Sequence, residues 1–234
     1  MKKWKNILVI YMRKYRHEIK YTISKEYAEI LKQRLSLLMD VDKNGQNGYL
    51  IRSLYFDTPD SRSFYEKLNG VEFRSKYRIR VYNKDSNFIR LERKLKHENL
   101  TSKDQTIITK ELCQNIIENK NFNIKTNDEL LNRFLIDIKT KHLRPSIMVD
   151  YYRLAFTYPV SDVRITFDYN IKSGLYNYDL FDYEQEGIRI QDNDLLVLEV
   201  KYNEILPEAI AIILKTVPTC REAFSKFANC RKLK

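Results

Sequence analysis

The chain has 234 residues, 43% of them hydrophobic, with 42 Lys and Arg against 31 Asp and Glu and a formal net charge of +11. That length and apolar content suffice for one sizeable core, and the few Gly and Pro are spread without forming a linker, repeat or low-complexity segment. The cationic excess points to an anionic partner, whether nucleic acid, acidic lipid or a phosphorylated ligand. Cys113, Cys220 and Cys230 have neither paired nor CxxC spacing, which argues against a disulfide framework or zinc site and implies a reducing cytoplasm.

Residues 1–14 read as an N-terminal extension. Lys2, Lys3 and Lys5 precede the apolar run Ile7-Leu8-Val9-Ile10, but Arg13, Lys14 and Arg16 follow with no small-residue cleavage site, unlike a signal peptide. The run is also too short to span a bilayer. A single domain is expected over 15–230, followed by a short solvated basic tail over 231–234.

Arg16 to Ile23 alternates as a strand. Ser24 then reads as the N-cap of an amphipathic helix carrying Tyr27, Ile30, Leu31, Leu35 and Leu38. Tyr49 to Phe56 is a second strand, and Asp57-Thr58-Pro59-Asp60 a turn into a short helix. Two charged strands follow, from Arg74 and from Phe88, as a hairpin around Asn83 to Asn87. Helices are expected over Ser102 to Asn119 and Asp128 to Thr140, strands over Leu143 to Tyr158, Val163 to Ile171 and Leu195 to Tyr202. Pro207 opens a helix, and Arg221 to Cys230 reads as another. Mostly antiparallel strands with inserted helices define an α+β class.

Alternate strand residues share a face, and one face is cationic throughout. Lys76, Arg78 and Arg80 oppose Tyr77, Ile79 and Val81; Arg90, Glu92, Lys94 and Lys96 oppose Ile89 and Leu91; Arg16, Glu18 and Lys20 oppose His17, Ile19 and Tyr21. Arg52, the pair Tyr151 and Arg153, the pair Arg164 and Asp168, and the pair Glu199 and Lys201 continue the pattern. A solvated sheet would satisfy any one strand. Its recurrence on so many strands favours a barrel with the charged face inward around a polyanion, since isolated buried charges are prohibitively costly. Glu18, Glu92, Asp168 and Glu199 could then serve a hard divalent cation. Aromatics interleaved with basic residues can bind single-stranded nucleic acid, but here they are read on the face opposite the charges, so no nucleic-acid partner is expected. His17, His97 and His142 lie far apart and read as structural. No Gly-rich phosphate loop is present.

The stretches Arg16-His17-Glu18-Ile19-Lys20-Tyr21, Ser53-Leu54-Tyr55-Phe56-Asp57-Thr58, Lys76-Tyr77-Arg78-Ile79-Arg80, Leu91-Glu92-Arg93-Lys94, Tyr151-Tyr152-Arg153-Leu154-Ala155-Phe156, Arg164-Ile165-Thr166-Phe167-Asp168, Leu198-Glu199-Val200-Lys201-Tyr202 and Ser225-Lys226-Phe227 together resemble the vacuolar transporter chaperone (VTC) domain. That domain is a polyphosphate polymerase of the triphosphate tunnel metalloenzyme superfamily, and the resemblance runs in order from about Tyr15 to Phe227. It implies a closed eight-stranded antiparallel tunnel with a charged interior, flanked by helices. It further implies transfer of the γ-phosphate of ATP to a growing polyphosphate chain, with Mn²⁺ or Mg²⁺ as cofactor. Lys20, Arg78, Arg80, Lys94, Arg153, Arg164 and Lys226 would contact the reacting phosphates. Arg52, Lys76, Lys110, Tyr151, Lys201 and Ser225 would help bind substrate. Glu199 would be the principal metal ligand, with Glu18, Glu92 and Asp168 as further donors. Arg16 stands where the hydrolytic branch of the superfamily carries the first Glu of a Glu-x-Glu-x-Lys strand, which favours a polymerase over the alternatives of a triphosphatase or a non-catalytic polyphosphate or nucleotide-binding module. The expected setting is cytoplasmic, with a membrane-protein partner for polyphosphate export as a further expectation.

Overall fold

The computed structural model describes residues 15–42, 45, 47–120 and 126–234. The expected N-terminal extension and its apolar run lie outside the described residues. Among those described, eight strands form the wall: β1 (Arg16–Ser24), β3 (Tyr49–Asp57), β4 (Phe73–Tyr82), β5 (Ile89–His97), β6 (Leu100–Ile108), β7 (Arg144–Tyr158), β8 (Val163–Ser173) and β10 (Leu195–Tyr202). Short strands β2 (Asp40–Val41), β9 (Ile188–Arg189) and β11 (Cys220–Arg221) pair at its edges, with β7, β8 and β1 respectively. Neighbours run β7-β3-β4-β5-β6-β1-β10-β8, and a further β7–β8 pairing closes the ring. Every pairing is antiparallel, so the expected tunnel is formed.

Most apolar strand residues face outward, and helices cover them. Ser24 caps α1 (Lys25–Leu35) by accepting from the Tyr27 N–H, as its sequence position suggests. Ala28, Leu31 and Leu35 of α1 are fully buried against Ile165, Phe167, Leu198 and Val200 of β8 and β10, and α5 (Glu208–Leu214) adds Ile210 and Leu214. Each such buried Leu or Ile contributes about 1.5–3 kcal/mol. On the other side, α3 (Lys110–Ile117) and α4 (Glu129–Lys141) bury Ile116, Phe134 and Leu135 against Ile79, Leu91 and Phe56. A third cluster lies on the inner side, where α6 (Lys226–Arg231) packs Phe227 against Tyr55, Ile147 and Tyr151. The Asp57 carboxylate receives the Ser63 and Phe64 N–H groups at 2.8 and 3.1 Å. It thereby anchors α2 (Arg62–Leu68), the short helix expected after the turn.

Three element expectations are corrected. The helix expected from Ser102 begins only at Lys110, because 100–108 is strand β6. Successive Thr101, Ser102, Lys103, Asp104, Gln105 and Thr106 are polar on both faces, so no period of two is visible. The last helix starts at Lys226 instead of Arg221, since Cys220 and Arg221 pair with β1. The tail is not simply solvated: Lys234 Nζ donates to the Ser146 carbonyl and sits 4.7 and 4.5 Å from the Tyr176 and Tyr178 rings. No helix among the described residues is long and apolar enough to cross a membrane.

Candidate functional site

The interior holds a cavity of about 560 Å³ lined by twelve Lys and Arg side chains and four carboxylates among the described residues. A second cavity of about 410 Å³ shares Glu18, Lys20, Lys76, Lys94, Thr101 and Ser225 with it. The first reaches Arg16, Tyr49, Arg90 and Arg164, which lie at the starts of their strands, and Tyr82 and Lys201 at the ends of theirs. The second reaches Arg74 at the start of β4, Lys96 at the end of β5, and Arg221. Because alternate strands run in opposite directions, these sets mark opposite ends of one passage.

Nearly every expected phosphate ligand faces this passage. Lys20, Lys76, Arg78, Arg80, Lys94, Tyr151, Arg153, Arg164, Lys201, Ser225 and Lys226 all line the first cavity. Lys226 is delivered by α6, whose N-cap Ser225 accepts from the Ala228 N–H. Its ammonium meets Asp168 Oδ2 at 2.5 Å.

Carboxylates hold the cations in place. Arg153 makes two bonds to Asp168, at 2.6 and 2.8 Å. Arg78 Nε donates to Glu92 Oε2 at 2.7 Å, and Lys103 meets Oε1 of the same residue at 3.2 Å. Lys94 sits 2.6 Å from Glu18, Lys201 2.7 Å from Glu199, and Lys20 3.5 and 3.7 Å from Glu18 and Glu199. Arg80 lies 3.8 Å from Glu92 and also uses neutral partners, donating to Ser53 Oγ and Tyr151 Oη at 3.0 Å each. Arg78 Nη1 donates to Tyr55 Oη at 2.9 Å.

These contacts set the protonation states. Burial and the Glu199 charge both oppose ionisation of Glu18, yet Lys94 and Lys20 bring it down to about 2. Asp168 likewise falls to about 2 because Arg153 and Lys226 outweigh the cost of burial. For Lys201 burial wins over the attraction of Glu199, and its ammonium is pushed down to about 7. Lys76 is held well below the ordinary lysine value by burial and by the repulsion of Lys94, Lys20 and Arg78. Lys20 moves the other way, because Glu199 and Glu18 outweigh its burial.

Two expected substrate contacts are corrected. Arg52 faces outward, ion-paired to Asp150 at 2.7 Å and stacked 4.1 Å over the Tyr183 ring. Lys110 opens α3, outside the passage, with its ammonium 4.9 Å from the Phe181 ring. Both cations therefore fasten the same 174–187 loop to the outer wall. Among the expected metal donors, Glu92 and Asp168 are fully buried and held by guanidinium and ammonium groups. Glu18 and Glu199 remain lining the passage.

The expectation that the aromatics sit opposite the charges fails at several positions. Tyr77 and Tyr152 do not line the passage, but Tyr49, Tyr55, Tyr82 and Tyr151 do, beside Phe88, Lys103 and Gln105. Tyr151 is expected there from its shared face with Arg153, whereas Tyr55 gives no signal because β3 is apolar on both faces. His17 stacks on Tyr202 at 4.9 Å, a structural contact.

The ring of eight strands around a cationic bore makes this a triphosphate-tunnel protein in architecture. Comparisons with solved structures agree on the fold. A putative adenylyl cyclase from Hippeastrum, HpAC1, described as having a dominant triphosphatase activity, matches with a TM-score of 0.52 and 18% identity, over 94% of this chain and 96% of that one. Protein PH1819 from Pyrococcus horikoshii matches with a TM-score of 0.51 and 14% identity, over 94% and 99%. No curated protein matches the sequence. The VTC domain model matches residues 15–233, and the chain belongs to that family.

The pairing pattern separates residues that carry the fold from residues that strain it. Arg78→Ala leaves Glu92 buried with a main partner removed, and should lower the melting temperature by an amount corresponding to roughly 3–5 kcal/mol. Lys76→Met removes a cation that like charges destabilise. It should leave the ligand-free protein at least as stable as the parent while weakening triphosphate binding about ten- to hundredfold, the worth of one charge-assisted hydrogen bond. Thermal melts with a binding titration check both; a large loss of stability in Lys76→Met would show that its cation–π contacts with Tyr55 and Phe227 outweigh the repulsion.

The lysine shifts also fix a pH dependence. Between a folded-state value near 7 for Lys201 and the ordinary lysine value near 10.4, the unfolded chain binds more protons than the folded one, so ligand-free stability rises with pH over that window. Lys76, Lys94, Lys103 and Lys226, all shifted downward chiefly by burial, act in the same direction. A bound triphosphate restores the ammonium forms. Calorimetry near pH 8 in buffers of different ionisation enthalpy should show proton uptake on binding; proton release would contradict the assignment.

Proposed function

We propose that this chain is a polyphosphate polymerase that transfers the γ-phosphate of ATP to the end of a growing polyphosphate chain. The observation that carries the reading is the cationic passage continuing from one end of the barrel to the other. A hydrolase needs only a pocket for its triphosphate, whereas a polymer needs a path along which every added phosphate meets fresh cations. Arg80, Arg78 and Lys94 on β4 and β5, with Lys20 and Lys226 across the bore, would hold the donor and acceptor phosphates in line. An oxygen of the acceptor phosphate attacks the donor γ-phosphorus, the bond from that phosphorus to the β–γ bridging oxygen breaks, and ADP leaves with the electron pair. No protein nucleophile is needed, since phosphoryl transfer depends on positioning and charge stabilisation.

Glu18 and Glu199 suit Mn²⁺ or Mg²⁺, which take one or two carboxylates and complete their shell with substrate phosphates and water. Both side chains are ionised, and the buried Thr166 hydroxyl, opposite Glu199 in the β8–β10 register, has no hydrogen-bond partner. The metal would supply neutralisation of charge on the donor phosphates. Dependence on ATP and three unpaired cysteines fit a cytoplasmic setting.

Incubation with ATP and Mn²⁺, followed by separation of products, tests the reading. Polymer is the expected product. Free phosphate in step with ADP would make the chain a triphosphatase, the activity described for the Hippeastrum protein, and no ADP at all would reduce it to a binding module. Glu199→Gln should lower metal-dependent synthesis by orders of magnitude while metal-free triphosphate binding persists or tightens, because a carboxylate that repels phosphate is gone. Near-normal synthesis in that variant would move the metal away from Glu199.

A further inference from the structure

A further cavity, of about 670 Å³, lies outside the passage and shares no lining residue with either of its cavities. It is enclosed by the turn before α2, the ends of α3 and α4, the start of β7, Tyr178, and α6 with the residues after it. One side is apolar: Ile116 belongs to the outer core, and Ile117, Ile138 and Leu143 pack against that core while also lining the cavity. The other side carries Arg144, Arg231 and Lys234. None of these three is ion-paired to a carboxylate among the described residues. Arg231 Nη2 donates to Ser61 Oγ at 3.2 Å, but its Nε is buried and has no hydrogen-bond partner among the described residues. Lys234 Nζ donates to the neutral Ser146 carbonyl and Tyr178 hydroxyl, and burial together with the Arg144 charge pushes its ammonium below the usual lysine value. The carboxylate on this wall, Asp57, is already taken by the Thr58, Ser63 and Phe64 N–H groups.

We infer that this pocket is a second anion site, separate from the bore, that takes a small phosphate monoester with an apolar body. Two guanidinium groups and an ammonium suit a phosphate, which accepts paired bonds from Arg and carries close to two negative charges at neutral pH. The buried Arg231 Nε costs free energy as an unmatched donor, and an anionic oxygen would satisfy it. Arg231 is held ready for this role, because α6 is fixed at its other end by the Ser225 cap and the Lys226 contact with Asp168. The cavity is of the size that small-molecule sites have, well beyond what a bare phosphate fills. Ile116, Ile117, Ile138 and Leu143 give the remaining space an apolar lining, so the ester group and not the phosphate alone is recognised. Walls from several separate segments make it a pocket for a small molecule, not a flat face for a bilayer.

Titration of the full-length protein with octyl phosphate and with inorganic phosphate, both in excess tripolyphosphate to occupy the bore, tests the site. Octyl phosphate should bind, and at least tenfold more tightly than inorganic phosphate, because each buried methylene adds to affinity. Arg144→Gln and Arg231→Gln should each weaken octyl phosphate about tenfold, the loss of one charge-assisted hydrogen bond, without lowering the melting temperature of the ligand-free protein. The Arg144 side chain is exposed, so Arg144→Gln decides the matter even where Arg231→Gln disturbs the fold. Loss of octyl phosphate binding in excess tripolyphosphate would place the ligand in the bore. Equal affinity for the two phosphates would remove the apolar wall from recognition, and unchanged affinity in Arg144→Gln would remove the cations. Arg144-dependent binding to vesicles containing phosphatidic acid, with no binding of octyl phosphate, would make this a membrane contact; each of these results overturns the site.

Discussion

A closed barrel that turns its charges inward brings like charges opposite one another. In the register of this wall, Lys94 faces Lys76 on one neighbour and Lys103 on the other, Arg80 faces Arg90, and Lys201 faces Arg164. Cross-strand pairs of like charge are destabilising, and burial raises the cost. The fold survives because Glu18, Glu92, Asp168 and Glu199 each touch two or more cations. The rest of the architecture follows. With most polar residues inside, the outward apolar residues must be covered from outside, and α1, α3, α4 and α5 do this. The inner surface keeps an unmatched positive charge that only a ligand can neutralise, so affinity and instability have the same source.

The balance explains why one charge constellation can bind a polyanion without being a rigid scaffold of salt bridges. Arg78 and Arg153 are pinned by buried carboxylates and keep their direction in the empty protein. Lys76 has aromatic neighbours instead, and Lys201 is poised to gain or lose its proton near neutrality. Fixed guanidinium groups would set the geometry, and adjustable lysines would follow the phosphates.

Much of this was legible in the sequence because period-two alternation survives wherever one strand face is apolar. Lys20, Arg78, Lys94, Arg153 and Glu199 all emerged that way, and the order of short motifs pointed to the family. The signal failed where both faces have the same character. Tyr49-Leu50-Ile51-Arg52-Ser53-Leu54-Tyr55 is apolar on both sides, so nothing in it tells that Arg52 faces out and Tyr55 in. Strand β6 is polar on both sides and read as helix. Lys110 misled for another reason: the cation–π contact with Phe181 joins residues far apart in the chain, and no local pattern announces it. The double role of Glu92 and Asp168 as counter-ions depends on cross-strand register, which alternation alone does not supply.

Ring closure joins the two ends of the chain: Lys20 of β1 pairs with Glu199 of β10, and Lys226 enters from α6 later still. Such distant pairings make for slow folding. At a synthesis rate of 5–20 residues per second, the first strand waits roughly ten to forty seconds on the ribosome for its partner. During that interval the cationic strands lack the partner that closes them into a bore. The bore therefore exists only once the last-made strands arrive, and until then its cations lie along an open strip.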